Sequence, residues 1–387
     1  MPHLKTFARA TLALAAGLGL SVAAHADINI GVIVSLTGPG ASLGIPADNA
    51  IKLWPTELGG QKVNLFVLND ATDTTTAAAK NATKLITEDK VDVIVGPSLT
   101  PTSLAVIEVA ARSGVPVISL AGGGAIVEPQ DGPRRWAFKM APTETISINA
   151  VLDHMLRNKA GTVATIGITT AYGEGFLKAI ERLAPAKGVR IVAVEKYAQA
   201  DTSATPQVLK LIAANPDAVY IFSAGTPGAL PHAELVKRGY KGLIYQTQGV
   251  ANADFLRIGG KELEGSFMTV APVLVADRLP DANPVKAPGV DYVKRYEAKD
   301  GAGSRSLFGA TAWDAQLWLS AAIPVALQRG KPGTDEFRLA LRDAIEGLKE
   351  FIGTQGMFNL SDKDHNGVDA RSQVMVKVEG GQWKLVT

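Results

Sequence analysis

The chain has 387 residues, 47% of them hydrophobic and 20% charged, which is material for two globular domains with cores of ordinary size. Its 39 basic residues fall to 37 once Lys5 and Arg9 near the N-terminus are set aside, and then equal the 37 acidic ones. Such a balance leaves no basic stripe for nucleic acid and no polybasic patch for a membrane surface, and the absence of cysteine excludes disulfides, a thiolate nucleophile and Cys-based metal sites.

Lys5 and Arg9 form a positive n-region, Ala10 to Ala24 is an apolar stretch too short for a comfortable membrane span, and Ala24-His25-Ala26 is an A-x-A cleavage site before the polar Asp27. These three parts in order predict a secretory signal peptide over residues 1–26 and export of a mature chain beginning at Asp27.

The mature chain opens with a strand, Ile28 to Ser35, then a Gly-rich loop, Leu36 to Gly44, and a helix from Asp48 to Leu58. A second strand runs from Val63 to Asp70, and Asp73-Thr74 offers N-cap chemistry to a helix reaching Glu88. The β-branched run Val91 to Val95 ends in Gly96-Pro97 and reads as a buried parallel strand. A loop of small and hydroxyl residues follows, then a helix from Leu104, and a fourth strand, Pro116 to Leu120, running into Ala121-Gly122-Gly123-Gly124. Strand, polar loop and helix N-terminus together place free N–H groups and hydroxyls at the carboxyl edge of a sheet, where open α/β folds bind ligands and where an anionic group is suited.

The alternation then restarts. Helix Ile146 to Leu156, strand Thr162 to Thr169, a helix opened by Tyr172 and closing near Leu183, and strand Arg190 to Glu195 are followed by helix Pro206 to Ala213, strand Asp217 to Phe222, helix Pro231 to Arg238 and strand Leu243 to Gln246. Two similar α/β lobes follow from this order. After Val270, prolines 272, 280, 284 and 288 mark a loop-rich stretch. Helices are expected at Val290 to Lys299, Ser306 to Leu327 and Thr334 to Leu348, then a polar turn region and a hairpin of Gln373 to Val378 with Gln382 to Val386 around Gly380-Gly381.

Catalytic signatures are missing. The sequence holds no G-x-S-x-G elbow, H-E-x-x-H pair, Walker A loop or G-x-G-x-x-G between strand and helix. Asp362 to Gly367 matches the start of a calcium loop, but Gln373 stands where its bidentate Glu belongs, so an Asx-rich turn is expected. No cofactor or metal is expected. Tyr172 and Phe308 are aromatic residues placed at loop or helix-start positions, where core packing competes with a ligand contact.

Ser35-Leu36-Thr37-Gly38-Pro39, Asn69 to Asp73, Val95-Gly96-Pro97, Pro116 to Ser119, Ala171 to Gly175 and Gln246 to Gly249, in this order and spacing, make the chain similar to periplasmic leucine/isoleucine/valine-binding proteins of ABC importers from Ile28 to the C-terminus. The resemblance implies a type I periplasmic-binding-protein fold: two Rossmann-like lobes with parallel sheets, three crossovers and a cleft that closes on the ligand. With the crossings set where strand–helix alternation is broken by Pro or Gly, the expected lobes are residues 27–142 with 273–353 and residues 143–272 with 354–387. The resemblance places the carboxylate-binding hydroxyl on Thr100, backbone contacts on Ala121, Gly122 and Gly123, the second-lobe tyrosine on Tyr172, a further loop on Gly225-Thr226, and aromatic or bulky positions on Phe308 and Leu43. Gln248 stands where an acidic residue often holds the ligand ammonium, and an amide carries no full charge to pair with one. The implied role is that of a monomeric periplasmic receptor, delivering a branched-chain amino acid or an aromatic or aliphatic organic acid to a membrane permease. A secreted α/β hydrolase and the ligand-sensing domain of a regulator are the alternatives.

Overall fold

The computed structural model describes residues 26–72 and 76–386. The expected leader (apart from Ala26) and the expected cap at Asp73-Thr74 lie outside them.

Ile28–Val34, apolar but for Asn29 near its start, lies at the centre of a six-stranded sheet, as a strand covered on both faces must. Gln61–Asn69 and Val93–Val95 flank it in parallel. Val117–Ser119 and Ala137–Lys139 extend the sheet in the same sense, and the two-residue Glu57–Leu58 closes its other edge antiparallel. The second sheet has seven strands. Arg190–Tyr197, Thr162–Ile168, Ala218–Phe222, Leu243–Gln246 and Phe267–Val270 are parallel neighbours in that order. Val374–Glu379 and Gln382–Leu385 complete it as the expected hairpin, with Gly380 and Gly381 at φ 61° and 69°, the left-handed conformation a two-residue turn between twisted strands demands.

Parallel neighbours need crossover connections, and helices supply them. Ala41–Ile51, Leu307–Ala326 and Asp335–Glu346 pack together on the first lobe, whereas Glu144–Arg157 and Ala171–Ala186 pack together on the second. The chain passes between lobes after Lys139, after Val270 and before Val374.

The structure differs from the sequence reading in several places, the first being the opening helix, Ala41–Ile51, which begins inside the expected Gly-rich loop and stops short of Leu58. Ala137–Lys139 is a strand to which the sequence reading assigns no element, because Lys139 interrupts the apolar signature although its side chain is fully buried. Residues 354–366, expected with the second lobe, rest on the first. Asp314 accepts the N–H groups of Thr354 and Gln355 at 2.8 and 3.1 Å, Phe358 meets Trp318 edge-on at 4.9 Å, and Lys139 donates its N–H to the His365 carbonyl at 3.1 Å. The last passage between lobes is therefore nearer residue 370. The stretch that mimics a calcium loop is an Asx turn: Asp364 Oδ1 accepts from the N–H groups of Asn366 and Gly367, both at 2.9 Å.

Candidate ligand-binding cleft

The carboxyl ends of strands from both sheets meet at one cleft, whose mostly apolar lining with a few convergent polar groups has the composition of a small-molecule site. Ser98 to Pro101, Leu120 to Gly122 and Ala141 line it from the first lobe; Ile168, Thr170, Tyr172, Gln199, Ala224, Gln248 and Gly249 line it from the second. Leu43, Leu307, Phe308 and Thr311 come from the helices beside it.

Each wall is built by local rules. After Val93–Val95 the backbone turns at Gly96 with φ 105°, and a Cβ there would stand 1.9 Å from the Ile33 carbonyl oxygen, so only glycine fits. The turn delivers Leu99 in extended conformation as N-cap of helix Thr100–Arg112. Thr100 is buried, and its Oγ1 accepts the Gly123 N–H at 3.1 Å. A Cβ on Gly123 would fall 2.5 Å from Thr100 Cγ2, so the two loops touch only because residue 123 has no side chain. Ser103 and Ser119 share a hydrogen bond of 2.8 Å beneath them, and Ser119 Oγ accepts the Ala121 N–H at 3.2 Å. Of the three loop amides expected to face a ligand, those of Ala121 and Gly123 are thus taken internally. The Gly122 N–H has no partner among the described residues. The Thr100 hydroxyl, while accepting from Gly123, still has its own proton to donate.

Across the cleft, Tyr172 is 4% exposed, and its ring lies against Gly122, where a Cβ would meet Cε2 at 3.2 Å. Burial raises the phenol well above its ordinary value, so it stays neutral. Phe176 packs behind it at 5.0 Å. Leu43, Leu99 and Phe308 leave the first lobe's core to join the apolar cluster that contains Tyr172.

Gln248, 2% exposed, is held at both ends of its amide. Its Oε1 accepts from Gln373 Nε2 at 3.0 Å, and its Nε2 donates to the Pro142 carbonyl at 3.4 Å. It forms part of the wall while tying together two of the segments where the chain passes between lobes. A separate tie comes from Glu144, whose carboxylate on the second lobe accepts the Gly124 N–H of the first at 2.9 and 3.0 Å. Nearby, burial lowers Lys139 to about 8, while the charges of Glu144, Glu128 and Asp364 act in the opposite direction; its Nζ donates to the Ala141 carbonyl. Among the residues lining the cleft itself, none is acidic, basic or histidine.

A sequence profile for periplasmic binding proteins matches residues 27–382. The chain belongs to this family. A Leu/Ile/Val-binding protein homologue of Brucella melitensis is 28% identical over 268 residues, 67% of this chain and 72% of the relative. The crystal structure of an extracellular ligand-binding receptor from Rhodopseudomonas palustris HaA2 is 41% identical, with a TM-score of 0.90 over 94% of this chain and 100% of that one. A solute-binding protein of an ABC transporter from R. palustris, solved in complex with benzoate, is 20% identical and shares the fold, with a TM-score of 0.76 over 93% of this chain and 96% of that one.

The protein is therefore a periplasmic binding protein, with the expected type I fold. Family members are solute-binding receptors of the periplasm. Among the described residues, no helix is long and apolar enough to cross a membrane.

In this binding protein, Leu43, Thr100, Ala121, Gly122, Tyr172, Gln248 and Phe308 lie together on the lining. Gly123, Gly225 and Thr226 do not. Gly225, at φ 72°, donates to the Gly249 carbonyl at 2.8 Å and lies where a Cβ would be 3.1 Å from Leu43 Cδ1, so it is a point where the lobes touch. Thr226 starts a half-exposed 3-10 turn, Thr226–Gly228. Sequence reading missed Thr170, Gln199 and Thr311. For Thr170 a signal existed, its place at a strand's carboxyl end; for Gln199 and Thr311 none did.

Proposed function

We propose that this periplasmic binding protein receives a small carboxylate with an apolar body and hands it to the membrane permease of an ABC importer. The observation that carries the reading is the uncharged lining. An α-amino acid brings an ammonium as well as a carboxylate, and a buried ammonium needs a carboxylate or several acceptors to offset its lost hydration. The cleft offers Gln248 in that position, with its carbonyl oxygen already bonded to Gln373. A carboxylate alone is better served: the Thr100 hydroxyl and the Gly122 N–H donate from the first lobe, and charge-assisted bonds of this kind contribute about 1.5–3 kcal/mol each. Leu43, Tyr172 and Phe308 enclose the body, so ligand and lobes bury one another on closure.

A branched-chain amino acid is the second reading, favoured by the name of the Brucella relative. Thermal-shift measurements with leucine, isoleucine and valine beside 4-methylpentanoate and benzoate separate the two. Larger stabilisation by the deaminated or aromatic acids is expected; stabilisation by the amino acids alone would overturn the reading.

A further inference from the structure

Three polar side chains of the second lobe line the cleft and carry a buried atom without a hydrogen-bond partner, Tyr172 Oη, Thr170 Oγ1 and Gln199 Nε2, and the last two stand at the ends of adjacent strands. Their proximity follows from register. Thr162–Ile168 and Arg190–Tyr197 are adjacent parallel strands with Ile168 opposite Tyr197, so Thr170 and Gln199 each lie two residues past the last pair, side by side at the sheet's carboxyl edge. The ordinary use of a threonine at position 170 would be to cap helix Ala171–Ala186. Thr170 holds the N-cap position in extended conformation, yet its hydroxyl makes no capping bond. An N-cap hydroxyl turned away from its helix, beside an amide nitrogen without an acceptor, is left with a ligand as its natural partner, because burying such groups unmet is unfavourable.

We propose that Thr170 and Gln199 form a subsite for a neutral hydroxyl or carbonyl carried by the ligand on the end that faces the second lobe. Neutrality follows from the surroundings. No charged side chain lines the cleft, Lys196 and Glu174 bond to each other at 2.7 Å, and the Asp201 carboxylate accepts the Ala198 N–H at 2.7 Å. Gln199 Nε2 can donate to the ligand oxygen, and Thr170 Oγ1 can accept a hydroxyl proton or donate to a carbonyl. The ligand class becomes a hydroxy- or oxo-substituted carboxylic acid with an apolar middle. This rests on the carboxylate reading given above.

Titration calorimetry on mature protein, freed of bound ligand by unfolding and refolding, tests it with matched probes: benzoate, 4-methylbenzoate, 3- and 4-hydroxybenzoate, hexanoate and 6-hydroxyhexanoate. At least one hydroxylated acid should bind about tenfold or more tightly than its unsubstituted or methyl partner, since a site built around a hydroxyl rejects analogues that leave its polar groups unmet. Thr170→Val and Gln199→Leu should each erase most of that ratio, and Thr170→Ser should restore it. Acids that bind without discrimination, or a ratio unchanged in both variants, would overturn the subsite and leave the carboxylate reading standing. Absence of binding by every acid, with leucine titrated alongside as the reference amino acid, would overturn both.

Discussion

At the scale of the residue, Thr100 does two things at once. Its oxygen accepts the Gly123 N–H, fixing the loop that carries Gly122, and its proton remains for a ligand carboxylate. Thr100→Val keeps the shape and removes both roles. The expected outcome is a dissociation constant raised about tenfold or more, measured by calorimetry with whichever acid binds best, because a bond to a charged group contributes about 1.5–3 kcal/mol and tenfold corresponds to about 1.4. Unchanged affinity would show that the carboxylate is held elsewhere. Gln248 teaches the complementary lesson. Its neutrality was legible from sequence, but its partners were not: Pro142 and Gln373 lie 106 and 125 positions away, and only the folded chain shows that the amide is occupied by the segments joining the lobes.

At the scale of the element, Glu144 opens the second lobe's first helix and accepts the Gly124 N–H of the first lobe, at the end of the loop that Thr100 holds from the other side. A bond between the lobes is made only when they are together, so it contributes to closure, and ligand affinity depends on the fraction of molecules able to close. Glu144→Ala should weaken ligand binding about tenfold, the worth of one charge-assisted bond, although Glu144 does not line the cleft. Full affinity in that variant would deny the tie a part in closure. Most elements were legible because buried parallel strands are unbroken apolar runs and the helices between them have clear starts. Ala137–Lys139 was not, since a lysine whose amino group finds the Ala141 carbonyl and the acids around it breaks the apolar pattern. Thr170 and Gln199 escaped for a related reason: the register of an edge strand and its neighbour, rather than any local signature, brings them together.

At the scale of the molecule, two sheets point their carboxyl edges at one space, and most of the residues the sequence suggested for a ligand line it, Gly123, Gly225 and Thr226 excepted. Tyr172, Leu43 and Phe308 come from different lobes into one apolar cluster, so closing the lobes and enclosing a ligand are the same event. The terminal segment shows where pattern reading stops: residues 354–366 carry no strand signature that assigns a lobe, and hydrogen bonds to Asp314 and Lys139 decide it. The central claim is that an uncharged cleft selects a carboxylate without an ammonium. Native mass spectrometry of the protein purified from its own periplasm, followed by release and identification of the bound molecule, tests this most directly. A small organic acid lacking an amino group, bound one per chain, is the predicted result; leucine, isoleucine, valine or another α-amino acid in that place would contradict it.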